Sequence, residues 1–117
     1  MTLIPLEDDG KTISGRFRKA PKFAFLDEGQ IIVQDNPHKR DKSAVFFEYF
    51  ATLNIDTLYV KNLGLRTFEK LSQMGVEVYR IDDAVTRFNR ITPQHLVRID
   101  ASNAAELCTL GHHKKDA

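Results

Sequence analysis

The chain has 117 residues, 42% hydrophobic and 28% charged, enough for one compact domain with a real core, since domains run to roughly 100 to 200 residues, and too few for a second catalytic lobe. Seventeen Lys and Arg against sixteen Asp and Glu leave a formal charge of +1, so no global field draws it to nucleic acid or an anionic membrane, and any anion site must be local. One cysteine, Cys108, excludes an internal disulfide and any zinc or iron-sulfur site made of four thiolates from one chain.

Leu3, Ile4 and Leu6 form a short apolar run that stops at the turn-forming Glu7-Asp8-Asp9-Gly10, which predicts a buried first strand, with Pro5 as the one residue arguing against it. Residues 11–22 read KTISGRFRKAPK; Ser14-Gly15 and Ala20-Pro21 predict a long loop. Two β-like runs, 23–27 and 30–34, flank Glu28-Gly29 and predict an antiparallel hairpin. Asp41 is a candidate N-cap for a helix whose Phe46, Tyr49, Phe50 and Leu53 recur at i, i+3, i+4 and i+7.

Thr57 to Val60 reads as a further strand, and Lys61-Asn-Leu-Gly leads from it into a helix with Leu65, Phe68 and Leu71 on one side and Gly75 at its end. Residues 76–81 read as the next strand. A short helix bearing Ala84, Val85 and Phe88 is then expected to finish before Pro93. Strands alternating with helices imply right-handed crossovers and a sheet that is parallel apart from the hairpin member. Asn103 with Glu106 three residues on predicts a helix over 104–110 ended by Gly111, followed by a mobile tail, so the expected division is a domain over 1–100 with a C-terminal helix and tail over 101–117.

The segments ISGRFRKAPKFAFLD, from Ile13, and NIDTLYVKNLGLRTFEKLSQMGVEVY, from Asn54, resemble the dinitrogenase iron-molybdenum cofactor biosynthesis family, the domain of NifX-like proteins and of the end of NifB. Ser14, Gly15, Phe17, Ala20 and Pro21 match the family's loop after the first strand. Gly64, Gly75, Val76, Val78 and Tyr79 match its later strand–loop–helix–strand portion, and the likeness runs over roughly residues 3 to 90 in order and spacing. It implies an α/β fold with a ribonuclease H-like motif: a mixed five-stranded sheet with one antiparallel strand, flanked by helices. It also implies a non-catalytic protein that binds or carries iron-molybdenum cofactor or an iron-sulfur precursor and works with cofactor-assembly proteins. The family's loop histidine is Arg16 here, and the glycine after Phe17 is Arg18.

Lys11, Arg16, Arg18, Lys19 and Lys22 give the long loop five cations and no acid, in a chain otherwise balanced. With the sheet order that the resemblance implies, this loop and the one after Val60 flank the switch point where α/β sheets bind ligands. Lys61, Asn62 and Arg66 are then expected to face the same crevice, and the helix starting near Gly64 to aim its unpaired N–H groups there. The predicted binding set is Ser14, Gly15, Arg16, Phe17, Arg18, Lys19, Lys61, Asn62, Gly64 and Arg66, and its ligand an anionic metal cluster; the competing reading is that the basic loop is merely a solvated surface.

Cys108 and His112 are four apart, with His113 adjacent, which is metal-ligand spacing on a continued helix; Gly111 opposes such a helix, and a lone helical Cys is usually a small core residue. His38 and His95 read as surface residues. Glu7, Asp8 and Asp9 close the first strand, where a metal-dependent nuclease would hold a carboxylate, but Lys61 and Asn62 follow the neighbouring strand and leave a second metal without ligands. The replaced loop histidine supports an alternative, a protein–protein adaptor that uses the fold without a cluster and docks through its C-terminal helix and tail. No secretory signal and no run near the roughly 18 apolar residues of a membrane span occur, so a cytoplasmic protein without nucleic-acid or membrane partners is expected.

Overall fold

The structure, a computed structural model, describes residues 1–108. Its elements are β1 (Thr2–Leu6), β2 (Lys22–Asp27), β3 (Gln30–Asp35), α1 (Ser43–Ala51), β4 (Thr57–Val60), α2 (Leu65–Gln73), β5 (Glu77–Ile81), β6 (Leu96–Ile99) and α3 (Ala104–Leu107), with single 3-10 turns at Phe88–Arg90 and Pro93–His95. The strands form one mixed sheet in the order β3-β2-β1-β4-β5-β6. β1, β4 and β5 run parallel, while β2 is antiparallel to both β1 and β3, and β6 is antiparallel to β5. The sheet therefore has six strands instead of the expected five, with β2 and β6 as reversed members instead of one. Among the described residues no helix is long and apolar enough to cross a membrane.

Alternation along β1 sends Leu3 to one face and Ile4 and Leu6 to the other. The Leu3 face receives α1 and α2: Phe46, Phe47 and Phe50 with Phe68 and Leu71 pack on Phe23, Leu58 and Val78, and α3 adds Ala104. Among the described residues the opposite face has no long helix. Ile4, Leu6, Ala24 and Ile81 are covered there by Ile13 and Val85, both from loops.

The helix expected around Ala84 to Phe88 does not form. The Ile13 N–H bonds to the Thr86 carbonyl (2.8 Å) and the Phe88 N–H to the Lys11 carbonyl (3.1 Å), while Thr12 bridges Arg87. Those pairings hold the segment extended against the long loop, so its backbone groups are satisfied across the fold and not along a helix. Helix α1 begins at Ser43 and not after Asp41, whose carboxylate instead pairs with His38 Nδ1 at 2.7 Å. The C-terminal helix stops at Leu107, and Cys108 is already extended (φ −97°, ψ 150°); the rest of that expected helix and the tail lie outside the described residues.

Candidate functional site

The loop from Glu7 to Pro21 climbs over the rim of the sheet at the C-terminal end of β1. Its path is fixed at both ends. Leu6 bridges Ile13, which is buried in the helix-free face, and the Ser14 N–H donates to the Pro5 carbonyl (2.9 Å). The buried Ser14 hydroxyl accepts the Arg16 N–H (3.1 Å), which starts the turn. Phe17 then inserts into the other face, with its ring centroid 5.3 Å from Phe46 and 5.7 Å from Phe50, both edge-on. Asn36, 3% exposed, donates its amide protons to the carbonyls of Arg18 (3.0 Å) and Ala20 (2.9 Å). The loop is thus irregular yet tied on both sides, with Arg16, Arg18 and Lys19 between the Ser14 and Ala20 anchors.

A depression of about 280 Å³ lies between this loop and the start of α2, lined by Gly15, Arg16, Phe17, Arg18, Lys19, Asn62, Leu63, Gly64 and Thr67. It sits beyond the C-terminal ends of β1 and β4, whose connections leave in opposite directions, the usual place for a ligand in an α/β sheet. A methyl group at Gly15 would be 3.6 Å from Asn62 Nδ2, so the two loops are already in contact. Gly64 is the N-cap of α2 and supplies no side-chain cap. The first-turn N–H groups and the positive end of the helix are therefore presented to the depression.

Three cations and no acid line it. The guanidinium of Arg18 donates to the Asp41 carbonyl (3.2 Å), which steadies it while leaving other N–H groups available. Arg16 stands 3.8 Å from Glu7, with 60% of its side chain exposed, a loose pair that a stronger anion can displace. A second depression of about 430 Å³ adjoins the first and shares Arg16 and Lys19 with it; Asp8, Pro21, Lys39 and Arg40 complete its lining.

The predicted set divides. Gly15, Arg16, Phe17, Arg18, Lys19, Asn62 and Gly64 surround one cavity, and Ser14 is buried just behind it. Lys61 turns away, its Nζ donating to the Asp83 carbonyl at 3.0 Å. Arg66 is exposed on α2 outside the lining. Of the other loop cations, Lys22 is in β2 and paired with Asp35 at 2.7 Å, which raises its own pKa and lowers that of the carboxylate, and Lys11 lines neither depression. Sequence reasoning missed Leu63, Thr67, Lys39 and Arg40; the last two meet Arg16 and Lys19 only through the tertiary fold.

The acidic trio belongs to the turn. Asp9 accepts the N–H groups of Lys11 (2.9 Å) and Thr12 (2.8 Å) and the Thr12 hydroxyl (2.6 Å), and these bonds hold its carboxyl down to about 2. Cys108 is buried, and desolvation together with the Glu69 charge pushes its thiol up, so the thiolate a metal needs is disfavoured. Its helix ends before it, and His112 and His113 lie outside the described residues. Among the described residues no three His, Cys, Asp or Glu side chains converge as a metal site. A larger groove of about 750 Å³ between α2 and the β6–α3 corner is edged by Glu69, Glu77 and Asp100 with Arg98, an acid-rich lining unsuited to an anion.

A family model described as dinitrogenase iron-molybdenum cofactor matches residues 1–90. Among solved structures, the apo form of the orange protein from Desulfovibrio gigas aligns with a TM-score of 0.57 at 20% identity, over 68% of this chain and 72% of that one. A putative NifB protein from Thermotoga, determined by NMR, aligns with a TM-score of 0.54 at 26% identity, over 69% of this chain and 75% of that one. No curated protein sequence matches the chain.

Proposed function

This chain belongs to the dinitrogenase iron-molybdenum cofactor family, and on that premise we propose that it is a non-catalytic carrier for an anionic iron-sulfur or iron-molybdenum cofactor or precursor. We read the β3-β2-β1-β4-β5 order as the ribonuclease H-like motif, with β6 added at one edge. The observation that carries the proposal is the acid-free lining in which Arg16, Arg18 and Lys19 face the uncapped start of α2. A cluster with a bound organic acid presents sulfide and carboxylate surface, and guanidinium forks and helix N–H groups suit both. No Cys or His is among the lining residues, so the hold is electrostatic, without the bonds to metal that would slow handover. The carrier would act in the cytoplasm, receiving its cargo from one assembly protein and delivering it to another.

The same lack of a metal-ligating side chain in the lining favours one competing reading, an adaptor that keeps the fold and carries no cluster. Anaerobic size-exclusion chromatography of the chain with isolated iron-molybdenum cofactor separates the two. The carrier reading predicts that iron and molybdenum elute with the protein. Metal eluting wholly apart from it would overturn that reading in favour of the adaptor.

A further inference from the structure

The two edges of the sheet are built differently. β6 is a four-residue strand carrying Arg98 at its outer end of the sheet, the kind of short, charged edge that resists pairing. β3 has six residues, all exposed, and from Gln30 to Gln34 it contains no charge and no proline. Ile31, Ile32 and Val33 are 56%, 50% and 40% exposed. Among the described residues no strand pairs with its outer side.

We propose that β3 pairs with β3 of a second copy of this chain, antiparallel about a two-fold axis through Ile32, to make one continuous sheet. The hairpin fixes which backbone groups are available. Its two-residue turn, Glu28 (φ 48°) and Gly29 (φ 83°), is closed by the pair Asp27 and Gln30. The alternation of an antiparallel ladder then directs the N–H and C=O groups of Gln30, Ile32 and Gln34 to β2, and those of Ile31, Val33 and Asp35 outward. Any two-fold pairing must therefore match these odd-numbered residues with each other, which allows few registers.

Charge and polarity choose among them. With Ile32 on the axis, Ile31 lies opposite Val33 of the partner and Gln30 opposite Gln34, while Asp35 meets Gly29. The strand reads Gln-Ile-Ile-Val-Gln, so every apolar residue faces an apolar one and no like charges meet. Centring on Ile31 overlaps only residues 30–32 of each strand and sets Gln30 against Ile32, and centring on Val33 sets Ile31 against Asp35; both are penalised. On the helix-bearing face Ile32 also borders an apolar depression of about 190 Å³ with Met1, Phe25 and Leu53, and the partner's Ile32 would adjoin it.

The test is sedimentation equilibrium of the full chain over a concentration series up to its solubility limit. The apparent mass should rise from 13.4 kDa toward twice that value. Gln30→Lys/Gln34→Lys sets lysine opposite lysine at two places in the proposed register and should raise the dissociation constant about tenfold or more. Gln30→Lys/Gln34→Glu sets lysine opposite glutamate at the same two places and should preserve the dimer. Both positions are exposed, and circular dichroism confirms that each variant is folded. A chain that stays monomeric throughout would overturn the proposal, as would a dimer that both double variants affect equally.

Discussion

On one face of the sheet Phe46, Phe47 and Phe50 of α1 and Phe68 and Leu71 of α2 press on strand residues; on the other, Ile13 and Val85 reach over Ile4, Leu6, Ala24 and Ile81 from loops. The first face is closed by regular elements whose backbones satisfy themselves. The second is closed by loop segments tied to each other across the fold, the Ile13 N–H to the Thr86 carbonyl and the Phe88 N–H to the Lys11 carbonyl. The loop that carries the candidate site is common to both: Ile13 fastens it to one face and Phe17 to the other, and Arg16 is held between them. The difference teaches that the rim cations are positioned by two cores, so the site should feel damage to either one.

The largest effect should come from Phe17→Ala, which empties a ring packed against Phe23, Phe46 and Phe50. A loss of about 3 to 5 kcal/mol of unfolding free energy is expected in denaturant titration. Ile13→Ala should cost less, about 2 kcal/mol, because loops can settle into the space more readily than packed helices can. An equal loss at the two positions would mean that the loop-closed face is as rigid as the helical one. Asn36→Ala removes both donors from the Arg18 and Ala20 carbonyls and should cost about 1 to 3 kcal/mol, seen also as faster amide exchange across residues 17–21.

The smallest effect concerns acid. Asp9 is stabilised as the carboxylate, with its pKa lowered from the ordinary 3.8 to about 2. A depressed folded-state value means that its contribution to the turn is complete above 3.8 and disappears as pH falls through about 2. The Thr12 amide shift followed by NMR should therefore titrate near 2, and a midpoint at the ordinary value would show that the turn does not hold the carboxylate.

The helical face was legible in the sequence because its signals are periodic. Phe46 and Phe50, and Phe68 and Leu71, recur at helical spacing, and Glu28-Gly29 marks the hairpin. The loop-closed face gave no such pattern. Val85 and Phe88 suggested a helix, but their segment is held by bonds to residues more than seventy positions earlier, and β6 offers only four residues, half of them well exposed. For the site, the cationic loop could be read directly, since Arg16, Arg18 and Lys19 are close in sequence and close in space. Lys61 could not be placed, because its contact with the Asp83 carbonyl depends on how the chain turns after β5. The convergence of Lys39 and Arg40 on Arg16 likewise depends on a tertiary approach that no local spacing reveals.

The most direct measurement is an anaerobic titration of isolated iron-molybdenum cofactor into three proteins: the unaltered chain, Arg16→Glu/Arg18→Glu, and Lys61→Glu. Binding should be lost in the double variant, whose side chains line the depression, and retained in the single one, whose native lysine is turned toward Asp83. Loss of binding in Lys61→Glu to the same degree, or full binding by the double variant, would contradict the assignment of the cargo to this rim.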